Sequence, residues 1–487
     1  MIFSLAACGG GSAETPAPEG TTPAETTPAE TTPASSYKVA MITDYGDITD
    51  QSFNQTTYEA CQEFCTENNL EFTYYKPNGD STAERVAMVD AAVADGYNVV
   101  VMPGYAFAET IKETADMYPD ITFIALDVGE ADLGADYKVA MITDYGDITD
   151  QSFNQTTYEA CQEFCTANGL EFSYYKPAGD STPERVAMVD AAIGDGFNVI
   201  VMPGYAFAEA IKQTAEMYPE TTFIALDVGE GDLNPVDENG ELLGEYYDIP
   251  ANLYCAVYQE ELCGYMAGYA AVKLGYTHLG VLGGMAVPAV QRFGYGFVQG
   301  ADAAATEMGI ADQVVMEYAY GNQFYGDADI TAYMDNWYQT LGVEVVFASG
   351  GGIYTSAAEA AAKVGGKLIG VDVDQSANIN TYGEGMCVTS AMKGLAETVK
   401  HMLSEVVAGN FANYGGKIET LGLVNGDDPT ANYVQLPMET TQWGDGFTQD
   451  DYKALVKAMY DGEVTVSNDI SAMPATTITV NFAGNIK

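Results

Sequence analysis

Acidic residues and glycines directly follow the predicted strands of this chain, at the positions where parallel sheets hold ligands. Asp144, Asp227 and Asp372 each come after an apolar run that predicts a strand. Glycine-containing turns follow three further runs, at Gly204, Gly283–Gly284 and Gly350–Gly352. In open α/β sheets, ligands bind beyond the carboxyl ends of the strands. The pattern therefore predicts a ligand site where two lobes face each other, lined by carboxylates and glycine turns.

Motifs that would indicate catalysis are missing from the sequence. The two histidines, His278 and His401, do not lie in a motif with a nucleophile, and there is no Walker A loop, H-E-x-x-H or G-x-S-x-G. A metal-dependent hydrolase could instead use aspartates, and Asp44, Asp47 and Asp50 are candidates for that role. Their spacing of three scatters the carboxylates around a loop. We therefore expect a binding protein rather than an enzyme, with no metal site and no cofactor.

The elements that must position these residues alternate between strand and helix. The predicted strands are 138–143, 171–175, 198–202, 222–226, 278–282, 343–347 and 367–371. The predicted helices are 152–167, 183–195, 206–217, 260–273, 287–308, 330–340 and 355–364. Strands that are apolar on both faces and alternate with helices indicate parallel sheets with right-handed crossovers. The predicted fold class is α/β.

A tandem duplication precedes the complete pattern. Residues 37–133 recur as 137–233, and 82 of the 97 aligned positions are identical. Only the second copy continues into a second lobe. We therefore predict a duplicated partial α/β lobe at 37–136. The ligand-binding lobes are then lobe 1 (137–254 with about 388–412) and lobe 2 (255–387 with about 413–487).

The charge balance excludes several classes of partner. The 487 residues contain 70 Asp and Glu but 18 Lys and Arg, which gives a formal net charge of −52. Such a field repels phosphate backbones, so no nucleic acid is expected to bind. At 47% hydrophobic residues the chain can nevertheless bury a substantial core. No stretch approaches the roughly 18 consecutive apolar residues of a membrane span.

The N-terminal residues indicate export and anchoring. Leu5-Ala6-Ala7-Cys8-Gly9 has the form of a lipobox, in which Cys8 is lipidated, although the preceding signal (1–8) is shorter than usual. The alternative is that Cys8 is an ordinary thiol. Residues 9–36, rich in Thr, Pro, Ala and Glu, predict a disordered tether. The other seven cysteines lack zinc spacing and are predicted to be buried free thiols.

Five motifs occur in unbroken order within residues 137–465. They are Asp144-Tyr-Gly-Asp-Ile-Thr-Asp-Gln-Ser-Phe-Asn154, Gly283-Gly-Met-Ala-Val-Pro-Ala-Val-Gln-Arg-Phe293, Phe347-Ala-Ser-Gly-Gly-Gly352, Ile369-Gly-Val-Asp-Val-Asp-Gln375 and Thr389-Ser-Ala-Met-Lys393. Together they make this segment resemble the basic membrane protein (BMP) family of nucleoside-binding lipoproteins. The resemblance implies a two-lobed clamp of the type I periplasmic-binding-protein fold. It also implies a purine nucleoside ligand (inosine, guanosine or adenosine), ABC permease subunits as partners, and a location on the outer face of the cell membrane through a lipid anchor.

The resemblance also implies a role for each site residue. Phe153 and Phe293 would sandwich the base, while Asn154 and Asp227 would hydrogen-bond its edge. The ribose would be met, or the site closed, by Asp144, Asp372, Lys393 and a backbone group near Gly351. These residue types suit a nucleoside, because aromatic rings stack on bases and ionised Asp accepts from hydroxyls. A cleft with more carboxylates than cations disfavours nucleotides.

The same residue patterns also fit other interpretations. An Asp after a strand is often only a helix N-cap, the two phenylalanines could be core residues, and the glycines 350–352 could form a turn without a ligand. The ligand could be a flavin or a sugar, and the clamp could serve a sensor rather than a permease. The first copy repeats Asp44, Phe53, Asn54 and Asp127 without a partner lobe, so one site per chain is expected.

Overall fold

Strands and helices alternate along the chain, as the apolar runs predict. The computed structural model describes residues 37–115, 117–128, 137–237 and 239–486, and the chain divides into two units between Leu133 and Gly134. We call the described residues before this division unit 1 and those after it unit 2. The predicted lipobox at Cys8 and the tether 9–36 lie outside the described residues.

Unit 1 is a small parallel α/β layer. Its elements are β1 (Lys38–Ile42), α1 (Phe53–Glu67), β2 (Glu71–Tyr75), α2 (Thr82–Ala94), β3 (Val99–Pro103), α3 (Ala108–Ala115) and β4 (Thr122–Leu126). The strands pair in the order β2-β1-β3-β4, and all the pairs are parallel. Every residue of β3 is buried, as its run of Val and Met predicts.

Lobe 1 of unit 2 repeats this layer and completes it. It begins with β5 (Lys138–Ile142), α4 (Phe153–Asn168), β6 (Glu171–Tyr175), α5 (Thr182–Gly194), β7 (Val199–Pro203), α6 (Ala208–Thr214), β8 (Thr222–Leu226), α7 (Glu230–Leu233) and β9 (Leu253–Tyr258). Two later elements join it, α13 (Leu395–Val407) and β15 (Lys417–Leu421). The strand order is β15-β9-β8-β7-β5-β6, again parallel throughout.

Lobe 2 contains the rest of unit 2. Its elements are α8 (Glu260–Lys273), β10 (His278–Gly283), α9 (Pro288–Met308), β11 (Val315–Tyr320), α10 (Ala328–Asp335), β12 (Val345–Ser349), α11 (Tyr354–Ala362), β13 (Lys367–Asp372), α12 (Ser376–Ile379), β14 (Cys387–Lys393), β16 (Val434–Gln435), α14 (Gln449–Tyr460) and β17 (Thr479–Asn485). Its sheet has the order β16-β14-β13-β12-β10-β11-β17, and only β16 runs antiparallel to its neighbour.

The chain passes between the two lobes three times, and this corrects the predicted lobe boundaries. The boundary at 254/255 falls inside β9, which belongs wholly to lobe 1. Of the segment 388–412, only α13 lies in lobe 1, because β14 pairs with β13 in lobe 2. Of 413–487, β15 pairs with β9 in lobe 1. Each sheet is completed by a strand that follows a crossover, so contiguous segments do not define the lobes.

Glycines hold helices α8 and α9 of lobe 2 unusually close together. A Cβ on Gly268 would lie 2.1 Å from the backbone oxygen of Phe297, and one on Gly300 would lie 2.0 Å from that of Tyr265. Only glycine allows backbones to approach to this distance. Gly296 and Gly300, part of a run that loosely mimics a dinucleotide-binding motif, therefore serve helix packing, whereas Gly294 makes room for the Tyr318 hydroxyl. The same packing fixes the position of Phe293, one turn before Phe297 on α9.

Candidate functional site

A cavity of about 450 Å³ lies between the two lobes of unit 2, at the carboxyl ends of their strands. This volume falls within the range of about 300–1,000 Å³ that is usual for small-molecule sites. All eight residues predicted to bind ligand line it: Asp144, Phe153, Asn154, Asp227, Phe293, Gly351, Asp372 and Lys393. The predicted strand ends therefore converge on one place, whereas each residue's role toward a ligand stays a prediction.

Asn154 is held on the lobe 1 wall with its amide orientation fixed. Its Nδ2 donates to Asp144 Oδ1 at 3.1 Å and to Asp150 Oδ2 at 3.0 Å. Because both neighbours are carboxylates, the NH₂ group must face them, and the carbonyl oxygen points elsewhere. That oxygen, Asn154 Oδ1, is buried and has no hydrogen-bond partner. A buried acceptor without a partner costs about 1–3 kcal/mol. A ligand donor would relieve that cost only after a shift of the side chain, because the oxygen is shielded from solvent.

Lys393 lies at the junction of the lobes, where β14 leads into α13. Its buried ammonium contacts Asp227 of lobe 1 directly and lies 3.6 Å from Asp372 Oδ1 of lobe 2. Glu260, at the start of α8, places Oε1 3.5 Å away and accepts a 2.6 Å bond from Arg292 Nε through its other oxygen. Three carboxylates thus share two cations, which leaves one negative charge in excess.

Burial and this excess of negative charge change the pKa values of Asp227 and Lys393. Burial raises the pKa of Asp227 to about 6, against the opposing effect of Lys393. Burial alone would lower the pKa of Lys393, but the surrounding carboxylates raise it above its ordinary value. The lysine therefore stays charged. Asp227 Oδ1 is a second buried acceptor without a partner.

The two predicted stacking rings lie against the same ammonium. Lys393 Nζ is 4.8 Å from the ring centroid of Phe153 and 5.5 Å from that of Phe293. The rings, one from each lobe, are thus no further apart than the sum of those distances. Phe293 is also held edge-on by Phe347, with centroids 6.1 Å apart. Both phenylalanines line the cavity rather than only the core.

The backbone at the strand ends adopts conformations that are uncommon for side-chain-bearing residues. Asp227 and Asp372 have φ values of 56° and 65°, and Gly351 has φ of 54°. Non-glycine residues in the left-handed region carry a cost of order 1–3 kcal/mol, and such residues cluster at ligand sites. The conformation turns both aspartates from the strand direction toward the cleft.

The lobes are in contact beside the cavity, as in a closed clamp. Ser152 Oγ of lobe 1 donates to Asp372 Oδ2 of lobe 2 at 2.7 Å. Gln375 Nε2 donates to the backbone oxygen of Gln151 at 3.2 Å, and the hydroxyl of Tyr354 donates to Gln151 Oε1. In unit 1 the equivalent Ser52 is exposed. Closure therefore uses Ser152 and Gln151 of the second copy, which contact lobe 2 directly.

The aspartates considered for metal-dependent hydrolysis have structural partners. Asp47 pairs with Lys76 at 2.9 Å, and Asp50 accepts from the backbone N–H of Ser52 at 2.8 Å. Their equivalents in the second copy, Asp147 and Asp150, make the matching contacts. No cluster of three or more His, Cys, Asp or Glu with metal-binding geometry occurs among the described residues. His278 is bonded to Glu317 and is not part of the cavity wall.

Several residues at the site were not predicted from the sequence. Glu260 and Arg292 stand behind Lys393, and Tyr145, Tyr205 and Phe324 also line the cavity. Tyr145 and Tyr205 each follow a strand-end residue, Asp144 and Gly204, and that adjacency could have identified them. Glu260 gave no local signal, because its role depends on the contact between α8 and β14.

The described cysteines are free, with one departure from prediction. Cys65, Cys161, Cys165, Cys255, Cys263 and Cys387 are buried, whereas Cys61 is only partly buried. Cys161, its equivalent in the second copy, is fully buried. The difference arises because Cys61 lines an open groove in unit 1.

Among the described residues, none of the helices has both the length and the apolar character needed to cross a bilayer.

Solved structures of two solute-binding proteins share this fold. An ABC transporter solute-binding protein from Conexibacter woesei aligns with a TM-score of 0.52 and 21% identity over 68% of this chain and 99% of its own. One from Aeropyrum pernix aligns with a TM-score of 0.50 and 22% identity over 69% and 88%. At these identities the likeness shows the fold, that of a two-lobed solute-binding protein.

Sequence comparisons identify the family. The profile of the Bmp family, described as PnrA-like ABC transporter substrate-binding proteins, matches residues 37–131 and 137–427. Basic membrane protein B of Borreliella burgdorferi is 26% identical over 59% of this chain and 79% of its own length. The ABC transporter nucleoside-binding protein BmpA of Lactococcus lactis is 25% identical over 68% and 89%. The chain belongs to the Bmp family, whose members are substrate-binding proteins of ABC transporters and not enzymes. The predicted family, fold class and lack of catalysis are confirmed.

Proposed function

We propose that unit 2 captures a purine nucleoside between its lobes and delivers it to the permease of an ABC importer. The observation that carries the proposal is the convergence of two rings and two polar side chains on one cavity. Phe153 and Phe293 flank the space, and Asn154 and Asp227 line it. A purine offers two π faces for the rings and N–H donors on its edge for the acceptors.

The charge of the cavity favours a nucleoside over a nucleotide. Asp144, Asp147, Asp150, Asp227 and Asp372 line it, and Lys393 is the only basic residue among the lining side chains that the structure describes. That lysine is already surrounded by carboxylates. A phosphate would need Arg, Lys or a free helix N-terminus to offset its charge, whereas the N-terminus of α4 beside the cavity is already capped by Asp150. The name of the Lactococcus relative, a nucleoside-binding protein, supports the same ligand class.

Calorimetric titration of the full chain tests the ligand. Inosine, guanosine or adenosine should bind one per chain, and inosine monophosphate should bind far more weakly. Phe153→Ala should weaken nucleoside binding about 5- to 150-fold, because stacking contributes ~1–3 kcal/mol per base. The duplication supplies a matched control, Phe53→Ala, which should leave the affinity unchanged. Deleting 37–136 should also leave it unchanged.

Two results would contradict the ligand assignment. Saturation by riboflavin or a sugar, with no heat from any nucleoside, would leave the clamp but replace its ligand. Equal losses of nucleoside affinity from Phe153→Ala and Phe53→Ala would show that Phe153 does not stack on the base. Loss of nucleoside uptake on deletion of the permease genes would support the importer over a sensor, whereas unchanged uptake would contradict it.

We further propose that Cys8 carries the lipid that holds the chain on the outer face of the membrane. The lipobox form of residues 5–9 supports this assignment. The chain should partition into the detergent phase, and Cys8→Ser should release it to the aqueous phase. An unmodified Cys8 in the intact-mass spectrum of the native protein would refute the anchor.

A further inference from the structure

The same strand sequence is covered in one copy and open in the other. Thr222–Leu226 (β8) and Thr122–Leu126 (β4) have identical sequences. β8 is an inner strand, paired on its outer side with β9, and Ile224 is 0% exposed. β4 is the last strand of its sheet among the described residues, and Ile124 is 42% exposed. β4 contains neither a charged residue nor proline, which usually protect an edge strand from pairing.

An apolar groove of about 760 Å³ lies beside this edge on one face of the unit 1 sheet. Its lining contains no charged residue and comprises Tyr37, Val39, Phe53, Thr56, Thr57, Ala60, Cys61, Phe64, Cys65, Leu70, Val99, Val101, Thr122, Ile124 and Leu126. In lobe 1 of unit 2, helix α13 packs beside α4 on the equivalent face. Its Leu395, Val399 and Met402 join the core cluster that contains Cys161 and Cys165.

Covering this surface with β9 and α13 would bring no net gain. Each chain contains two near-identical partial lobes but one β9 and one α13, and those elements already cover the second copy. Transferring them to unit 1, of the same chain or another, would expose as much apolar area as it buried. The hydrophobic free energy is roughly proportional to the area removed from water. Only pairing of two open surfaces buries both.

We propose that the β4 edge and its groove form a homodimer interface, on which the same surface of a second copy of this chain docks. The lack of charge suits self-pairing, because two chains of net charge −52 repel each other except where their contact surfaces are neutral. A cationic partner would find no carboxylate in the groove. The exposed Glu59 and Glu63 on α1 lie outside the lining, so repulsion there is open to screening by salt.

Sedimentation velocity of the full chain tests the interface. The wild type should form dimers whose dissociation constant falls as salt concentration rises. Ile124→Lys and Phe64→Glu should each raise that constant at least tenfold, since each places an unpaired charge in a buried apolar contact. Phe64 is 57% exposed, so its replacement should not unfold unit 1. Met117→Lys is the matched control, because Met117 is 54% exposed but is not a lining residue of the groove.

Hydrogen exchange at the β3 amides, whose sequence differs from that of β7 at Val100, should show that unit 1 remains folded in all three variants. The proposal is overturned if the wild type is monomeric at every concentration tested. It is equally overturned if the groove variants dimerise as well as Met117→Lys does while their amides stay protected. Dimers that dissociate as salt rises would indicate an interface made by charge pairs, and would also contradict it.

Discussion

Replacing Lys393 with methionine isolates the electrostatics at the junction of the lobes. The substitution keeps most of the side-chain volume but removes the ammonium that contacts Asp227, Glu260 and Asp372. Breaking a buried ion pair by removing one partner costs about 3–5 kcal/mol, because uncompensated charge remains in the interior. Arg292 can offset only Glu260. We therefore expect unit 2 to lose about 3–5 kcal/mol of its free energy of unfolding at neutral pH.

The loss should depend on pH in a defined direction. The folded-state pKa of Asp227 is already raised to about 6, and removing Lys393 would raise it further. A carboxyl with a raised folded-state pKa stabilises the fold at pH values below its unfolded pKa. That contribution disappears as the pH rises through the folded-state value. The Lys393→Met protein should therefore be close to wild type below about pH 4 and least stable above pH 7.

Urea unfolding followed by tryptophan fluorescence measures this loss in unit 2 alone. The chain has two tryptophans, Trp337 and Trp443, and both lie in unit 2. Lys363→Met is the control, because Lys363 makes an exposed 2.7 Å pair with Asp335 that should contribute less than about 1 kcal/mol. A Lys393→Met protein that loses no more free energy of unfolding than the control, or loses the same amount at pH 4 and pH 8, would contradict this prediction.

Two further predictions concern lobe 2. Glu261 is buried with Oε2 unpaired, and burial raises its pKa from 4.5 to about 7. Wild-type stability should therefore fall by about 3 kcal/mol as the pH rises across that interval, at about 1.4 kcal/mol per pH unit. Glu261→Gln should flatten the fall in urea unfolding, and an unchanged slope would contradict it. Gly268→Ala should cost about 1–3 kcal/mol by the same assay, because its Cβ would lie 2.1 Å from the Phe297 oxygen. Full stability would show that the helices can separate.

The sequence predicted seven strands of unit 2, which include inner strands and the edge strand Glu171–Tyr175. Glu171–Tyr175 and Thr222–Leu226 agree residue for residue with β6 and β8, and most other predicted strands shift by one or two residues. Six strands were missed: Leu253–Tyr258, Val315–Tyr320, Cys387–Lys393, Lys417–Leu421, Val434–Gln435 and Thr479–Asn485. The edge strands among them, such as Lys417–Leu421, alternate with polar residues or are short, so only pairing with a distant partner fixes them. Helix 330–340 was also predicted as one element, whereas the structure has α10 followed by a π-helical turn at Asn336–Leu341.

The candidate site was predictable where it depends on strand ends. Asp144, Asp227 and Asp372 follow strands directly, and parallel sheets gather such positions at one edge. The pairing of Lys393 with Asp227 and Glu260 was not predictable, because these residues lie 166 and 133 positions before it in the chain. The local pattern names candidates for binding, but the tertiary fold decides which of them neutralise each other and which remain free for a ligand.

A crystal structure of the full chain with inosine tests the central claim most directly. The base should lie between the rings of Phe153 and Phe293, with its N–H edge toward Asn154 Oδ1 or Asp227 Oδ1 and the ribose toward Asp144 and Asp372. Density for the nucleoside outside the cavity between the lobes, or a saturated crystal with that cavity filled only by water, would contradict the account.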